Sequence, residues 1–431
     1  MSRKVVIVGA GPSGLLLAHY LLQRGEKYHI NIYERRSDPR IISFSKSRTF
    51  PISLNERGMS ALRQIEGLEA AVKAVSVEMT GTVFHQKNGK SRITPREKPL
   101  VTLDRTNLVI VLLETLAQKY DKSRLNIYFD CQCQSVSFDN KTVSFKNIAI
   151  ENQPDFTVDY DLLVGADGAN SVVRSGFLEI ENFECEQKYY PTDYKSIFLD
   201  EQVNSSNHLQ KDNIHTWRLN DGTLMVALFQ ADGTMSGAIN FPREKNQIVG
   251  LSSPQEVLNF FRENFPEIGE MMTEAAAKDF LARPIAKILT VRCSDYHHGD
   301  SVLIIGDAAH AVSSSIGQGC NAALEDVMVF AHILNEYADN LAAALQQFTL
   351  RRQPDGYALV ELGDYAFPSS TGLFFEFILR EYLAKIKHRF LPNIFPHSLI
   401  DMIFETTLPY SEILRTYQGW ILKMKKKNQN G

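Results

Sequence analysis

The chain has little that would tie it to a membrane, a nucleic acid or a disulfide scaffold. No stretch approaches the roughly 18 uninterrupted apolar residues of a spanning helix, so no integral membrane segment is expected. The five cysteines, Cys131, Cys133, Cys185, Cys293 and Cys320, are odd in number and scattered. They resemble neither a disulfide framework nor a zinc site, and Cys131-x-Cys133 reads as structural within a strand-like alternation. A formal net charge of −4 gives no electrostatic reason to expect nucleic acid as a partner. The N-terminal apolar run continues into a glycine motif, which argues against a signal peptide and makes a cytoplasmic location the default. What is there is ordinary globular composition, 44% hydrophobic and 22% charged over 431 residues. That is enough for two domains or one large discontinuous one, as a monomer or homodimer.

Strand and helix signals alternate first. Val5–Val8 is a buried-strand run, Ser13–Arg24 reads as a helix ending at Gly25, and Ile30–Tyr33 is the next strand. Residues 58–75 look helical. Residues 78–102 alternate around the turn Asn88-Gly89, a hairpin signal, and Asp104–Lys119 is an amphipathic helix. Strands are expected around 126–129, 134–138 and 142–145, and a buried one at Asp161–Val164. From 183 to 250 the pattern is mostly β, then 253–264 and 267–278 look helical. Val302–Ile305 returns to the βα style. After 351 the chain is helical, ending in the basic cluster Lys423–Lys427, which would allow a weak peripheral membrane contact or a frayed solvated tail.

Three turns carry chemistry. Gly9-Ala10-Gly11-Pro12-Ser13-Gly14 follows a strand, opens a helix and precedes Glu34 and Arg35 at the second strand's end. The glycines permit a tight turn and let the backbone approach a pyrophosphate. The helix N-terminus attracts its charge, and Glu34 can accept ribose hydroxyls. Gly165-Ala166-Asp167-Gly168 follows another buried strand. Far downstream stands Gly306-Asp307-Ala308-Ala309-His310, running on through Gly317-Gln318-Gly319-Cys320-Asn321 into an apolar helix. A simple dinucleotide dehydrogenase has no use for this last turn. FAD does, because its ribitol and ring system must be held by a distant part of the fold.

These three motifs, in this order, resemble those of the class A FAD-dependent aromatic monooxygenases. The resemblance implies an α/β fold of p-hydroxybenzoate hydroxylase type. Its discontinuous Rossmann-like FAD-binding domain would cover 1–76, 101–182 and 285–350, with an inserted β-sheet substrate domain at 77–100 and 183–284 and a helical C-terminal segment at 351–431. It also implies FAD, NADPH or NADH as a transient co-substrate, and O2, with oxygen passing from a flavin C4a-hydroperoxide to a small aromatic or electron-rich molecule. Asp167 and Gly168 would close the cofactor site, and Asp307 would hydrogen-bond the ribitol. Gly317, Gly319, Cys320 and Asn321 would set a helix N-terminus near the ring, where its dipole stabilises negative charge. Within the class, the chain is most similar to the kynurenine 3-monooxygenase family. The similarity runs through Tyr33–Arg40, Ser47–Gly58, Leu103–Leu108, Gly317–Asp326 and Arg352–Asp355, and it implies cofactor contacts for Arg48 and Arg105.

The departures concern substrate. Thr82 stands where that family carries an arginine for its substrate carboxylate, a bidentate contact threonine cannot reproduce. Ala366 replaces an asparagine, Thr94-Pro95 occupies the region of a tyrosine, and Tyr410 alone matches the C-terminal substrate tyrosine. Ser314 takes the place of a proline lining the oxygen side of the ring. Its loop Ser313-Ser314-Ser315 offers three hydroxyls, which makes Ser314 and Tyr410 the candidate catalytic side chains. His310 is read as structural, and His297-His298 has no third ligand at metal spacing. The expected function is aromatic hydroxylation of a substrate other than kynurenine. The alternatives are a dehydrogenase or reductase of the same fold and kynurenine 3-monooxygenase proper.

Overall fold

The computed structural model describes residues 2–41, 50–86, 89–150, 154–200, 209–244, 246–368 and 371–429. The apolar runs form a six-stranded sheet in the order His297–His298, Val302–Ile304, Leu162–Gly165, Arg3–Val8, Tyr28–Tyr33, Leu125–Tyr128. All neighbours are parallel except the His297–His298 edge. Such a sheet is covered on both faces and needs near-continuous apolar strands, and Val5, Val6, Ile7, Leu162, Leu163 and Val164 are fully buried. The turns after Val8, after Gly165 and after Ile304 all leave C-terminal strand ends, where open α/β sheets bind ligands.

A second sheet of eight strands runs Ala286–Cys293, Cys185–Leu199, Met235–Pro242, Leu224–Phe229, Asn213–Arg218, Val77–His85, Ser91–Asp104, Pro51–Leu54. Its two faces divide by alternation. Trp217, Met225, Ala227, Ile239 and Phe241 pack with Val257, Phe261 and Phe280 from the helices Pro254–Asn264 and Glu274–Ala282. Ile214, Val226, Leu228, Ala238 and Asn240 face the other way, into a cleft shared with the first sheet.

Several local expectations shift. The helical stretch 58–75 is two helices, Glu56–Arg63 and Leu68–Ala74, parted at Gly67 with φ +78°. The stretch 267–278 divides into Pro266–Met271 and Glu274–Ala282, because the Thr273 hydroxyl caps the second helix by accepting from Ala276 N at 3.1 Å. The boundary placed at 350 falls inside the helix Leu341–Tyr365, which carries Pro354 in its interior. The basic tail is not frayed. It is the helix Gln418–Gln429, with Lys423 paired to Glu376 and Lys425 Nζ 2.7 Å from Glu361. Among the described residues no helix is long and apolar enough to cross a membrane. The helix Thr371–Phe390 nevertheless exposes Phe375, Leu379, Tyr382 and Phe390.

A buried charge network ties these parts together. Asp326 Oδ2 accepts from Gly306 N at 2.8 Å and from His310 Nε2 at 2.6 Å, while its Oδ1 accepts from Arg352 Nε at 2.8 Å. Arg352 also meets Glu325 and Asp355, at 2.9 and 3.1 Å. Glu325 pairs in turn with Arg57, a fully buried arginine that lies 4.1 Å from the ring of Tyr410. Breaking such a network strands an uncompensated charge, so Arg352→Met is expected to cost about 3–5 kcal/mol in denaturant unfolding. Burial pulls the His310 imidazole down, but the charge and hydrogen bond of Asp326 outweigh it and hold it above 6.5. A raised folded value contributes stability that is fully present below 6.5 and lost as pH rises through it. Thermal melts should therefore show wild type losing stability on the alkaline side, a slope His310→Gln lacks.

Candidate active site

The three turns converge on one cleft of about 1300 Å³. At one end stand Gly9–Ser13 and Glu34–Ser37, with Phe129 and Cys131–Cys133 from the neighbouring strands. The middle is lined by Arg105, Asp307, Gly317, Gly319 and Cys320, and the far end by the second sheet and the serine loop. Cys131 and Cys133 are buried and free, and burial pushes the Cys133 thiol up to about 12. Arg48 falls outside the described residues.

The first turn needs its glycines for distinct reasons. Gly9 has φ +105°, and a Cβ there would lie 2.4 Å from the Ala166 carbonyl oxygen. A Cβ on Gly14 would sit 2.2 Å from the carbonyl oxygen of Gly9. Gly11 leaves room instead: its nearest neighbour would be Arg105 Nη2 at 3.6 Å. The helix Pro12–Leu22 begins here with no side-chain cap, as does Gly319–Glu336 across the cleft. By contrast Asn55, Asp104, Ser171, Ser253, Asn340 and Ser398 each cap the helix that follows. Uncapped N–H groups at two helix starts facing one cleft suit an anionic ligand. Glu34 takes Ala10 N at 2.8 Å and Arg36 N at 2.9 Å, one on each oxygen. Each oxygen keeps a lone pair for a ribose hydroxyl.

The acidic residues of the other two turns differ in their work. Asp167 is spent inside the protein, accepting from Ser171 Oγ at 2.5 Å and Val172 N at 2.7 Å. Burial pushes its carboxyl up against those hydrogen bonds. Arg174 locks its turn to the third one, donating to Ala169 O at 2.7 Å and Ala308 O at 3.0 Å. Asp307 lines the cleft and accepts no hydrogen bond from the described residues. Its side chain faces open space, yet protein surrounds it closely enough that burial raises its carboxyl, with Arg105 opposing. An unspent carboxylate beside two uncapped helices suits the hydroxyl-rich middle of FAD. Gly306 holds φ +58° with its N–H on Asp326. Asn321 is turned away, donating to Ser53 O at 2.9 Å and accepting from Asn55 N at 3.0 Å, so it braces the helix from behind.

The substrate candidates are not brought together. Ser314 lines the cleft. Ser313 and Ser315 bond each other at 2.8 Å, and Ser315 donates to Gly363 O at 2.5 Å, so Ser314 holds the loop's one unspent hydroxyl among the described residues. Tyr410 is fully buried behind the cleft, donating to Gln318 Oε1 at 3.1 Å, and Ala366 is buried in the C-terminal core. Thr82 pairs in register with the cleft-lining Ile214, and Arg96 Nη2 approaches its hydroxyl at 3.4 Å. Tyr190, Tyr194 and Asn240, which the sequence reading did not single out, do line the cleft. Their alternating strands show which residues share a face, not which face the helices leave open. Gly14→Ala should leave secondary structure intact by circular dichroism yet abolish the flavin absorbance of the purified protein.

Residues 2–361 match the FAD-binding domain family. The kynurenine 3-monooxygenase of Salinispora arenicola is 31% identical over 426 residues, covering 95% of this chain and 90% of that protein. That of Anopheles gambiae is 29% identical, covering 97% and 85%. Among solved structures, tetrameric 2-methyl-3-hydroxypyridine-5-carboxylic acid oxygenase has a TM-score of 0.70 at 20% identity, covering 85% of this chain and 91% of its own. Pseudomonas aeruginosa PqsL, in complex with 2-aminobenzoylacetate, has a TM-score of 0.65 at 20% identity, covering 84% and 95%. The fold is thus that of the flavin monooxygenases, in agreement with the sheets and helical C-terminal region. The chain belongs to the FAD-dependent aromatic monooxygenase family that includes the kynurenine 3-monooxygenases, and it is a flavoprotein oxidoreductase using FAD, NAD(P)H and oxygen.

Proposed function

We propose that this enzyme hydroxylates an aromatic molecule less charged and more apolar than kynurenine. The observation that carries this reading is the inner wall of the cleft. Beyond Arg105 it is built from Ile214, Leu224, Val226, Leu228 and Ala238, with Tyr194, Asn240 and Ser314 as neutral hydrogen-bonding groups. Lys287 stands at the rim, exposed, 5.7 Å from the ring of Tyr189. An apolar slot with a few placed polar groups orients a planar ring without a charge clamp.

FAD, when bound, supplies the redox chemistry that couples a nicotinamide hydride and molecular oxygen to transfer of one oxygen atom. The protein's residues bind and orient. The uncapped starts of Pro12–Leu22 and Gly319–Glu336 hold negative charge on the cofactor, and Asp307 offers an acceptor to its hydroxylated chain. Burial keeps the Tyr194 phenol above its usual range, so it stays protonated and donates. Tyr190 donates to Asp364, pinning the second sheet to the helix Leu341–Tyr365. The serine loop and the sheet wall the slot on two sides, and a substrate and cofactor filling it would exclude water, which favours oxygen transfer over wasteful peroxide release.

One observation favours a second reading, a substrate bearing a carboxylate. The part-buried Arg96 has an Nε with no hydrogen bond among the described residues and stacks 5.3 Å from Phe404, beside Thr82 on the same sheet face. Stimulated NAD(P)H oxidation across a panel of aromatics, kynurenine included, separates the two. The first reading expects strong stimulation by neutral aromatics and weak stimulation by kynurenine. Robust kynurenine hydroxylation that Arg96→Gln abolishes would replace it with the second. Ser314→Ala should barely move stability. It should raise the ratio of peroxide released to product formed by roughly two- to tenfold, the worth of one hydrogen bond.

A further inference from the structure

Cys185 and Cys293 stand far apart in the chain but directly opposite each other on antiparallel strands of the second sheet. Ser294 N donates to Glu184 O at 2.8 Å, which makes the neighbouring pair a hydrogen-bonded one. Alternation then makes Cys185–Cys293 a non-hydrogen-bonded pair, the kind whose side chains approach most closely. Their sulfurs lie 3.6 Å apart, with the Cys293 thiol donating to Cys185, and both are free. Cys293 has no solvent exposure, whereas Cys185 is part-exposed. Arg174, the residue that locks the second and third turns together, reaches Gln187 at 3.4 Å, two residues along the same strand.

We propose that Cys185 and Cys293 form a peroxide-sensitive dithiol, with Cys185 as the attacking sulfur and Cys293 as the resolving one. The hydrogen bond from Cys293, with the nearby charge of Arg174, holds the Cys185 thiol below its ordinary range despite burial, while Cys293 is held above it. The part-exposed partner is therefore the one that gives up its proton more readily, and the thiolate is the nucleophile. The Cys185 thiolate attacks hydrogen peroxide, forming an S–O bond as the O–O bond breaks and hydroxide leaves. The Cys293 thiol then displaces that oxygen, its proton leaving with it as water, and the two sulfurs are joined. Two electrons pass from the thiols to the peroxide. The sulfurs need to close by only roughly 1.5 Å to reach disulfide length. Peroxide is also what an oxygen-using flavoprotein releases when oxygen is reduced without transfer, so the enzyme's own uncoupled turnover supplies an oxidant of this chemical class.

The test uses the FAD-loaded enzyme without substrate, so it does not depend on the substrate assignment. After treatment with hydrogen peroxide, denaturation and alkylation, intact mass should show two of the five cysteines no longer alkylated. Peptide mapping should find Cys185 joined to Cys293, and dithiothreitol should restore full alkylation. In Cys293→Ser, Cys185 should stop at the sulfenic acid and be captured by dimedone. In Cys185→Ser, Cys293 should stay reduced. Retention of all five thiols in wild type, or oxidation of Cys185 to higher acids with Cys293 still free, would overturn the proposal.

Discussion

Asp326 is a carboxylate without solvent contact that receives the Gly306 amide, the His310 ring and the Arg352 guanidinium at once. The third turn, which lines the cleft from the C-terminal half, hangs on it. Burial alone would drive this carboxyl neutral, but His310 and Arg352 hold it low and charged. Its charge in turn fixes the peptide plane at Gly306, and thereby the direction in which Asp307 leaves the backbone. The same helix presents its uncapped start to the cleft at Gly319, so one anchored helix sets both the acidic turn and the dipole. The network extends through Glu325 and Arg57 to the carbonyl of Leu408, which draws the C-terminal segment onto the cofactor domain. Buried charge of this kind is a poor source of net stability, but it discriminates strongly against misplaced partners.

Signals that were legible in the sequence are those whose physics is local. A glycine that must hold φ +105° under the Ala166 carbonyl announces itself within a few residues, as does a strand that must be apolar on both faces. Thus the three turns, five strands of the six-stranded sheet and the hairpin strands on either side of Gly89 were readable. Asn88 of that turn lies outside the described residues, and the His297–His298 edge strand was not foreseen. The inner wall of the cleft was not readable. It is assembled from strands spread between Asn213 and Pro242, and only the packing of Phe261 and Phe280 on one face decides which residues are left for the cleft. Tyr410 shows the limit of positional resemblance. Its place in the chain matches a substrate tyrosine, yet a buried arginine stacked on its ring and Gln318 on its hydroxyl make it part of the wall's backing.

The serine loop shows how a composition signal is resolved by partners. Three adjacent hydroxyls invite a catalytic reading, but two are consumed in fastening the loop to Gly363 O. Gly363 itself has no room for a side chain, since a Cβ would come 2.8 Å from Val312. The loop's position on the cleft is therefore set by the long C-terminal helix, and among the described residues Ser314 keeps the loop's one unspent hydroxyl.

The two helices that start at the cleft begin without a side-chain cap among the described residues, which leaves first-turn amide protons free for a ligand. A cofactor seated in the cleft would then be a structural component as well as a reagent, completing both helix ends from outside the polypeptide. Folding and loading are thermodynamically linked for that reason: a native state with free cofactor at about a hundred times its dissociation constant gains about 2.7 kcal/mol over the apoprotein. The amount of intact protein in a cell would then follow the supply of flavin, with scarcity removing the enzyme through turnover of its unfolded form before any kinetic limit is felt.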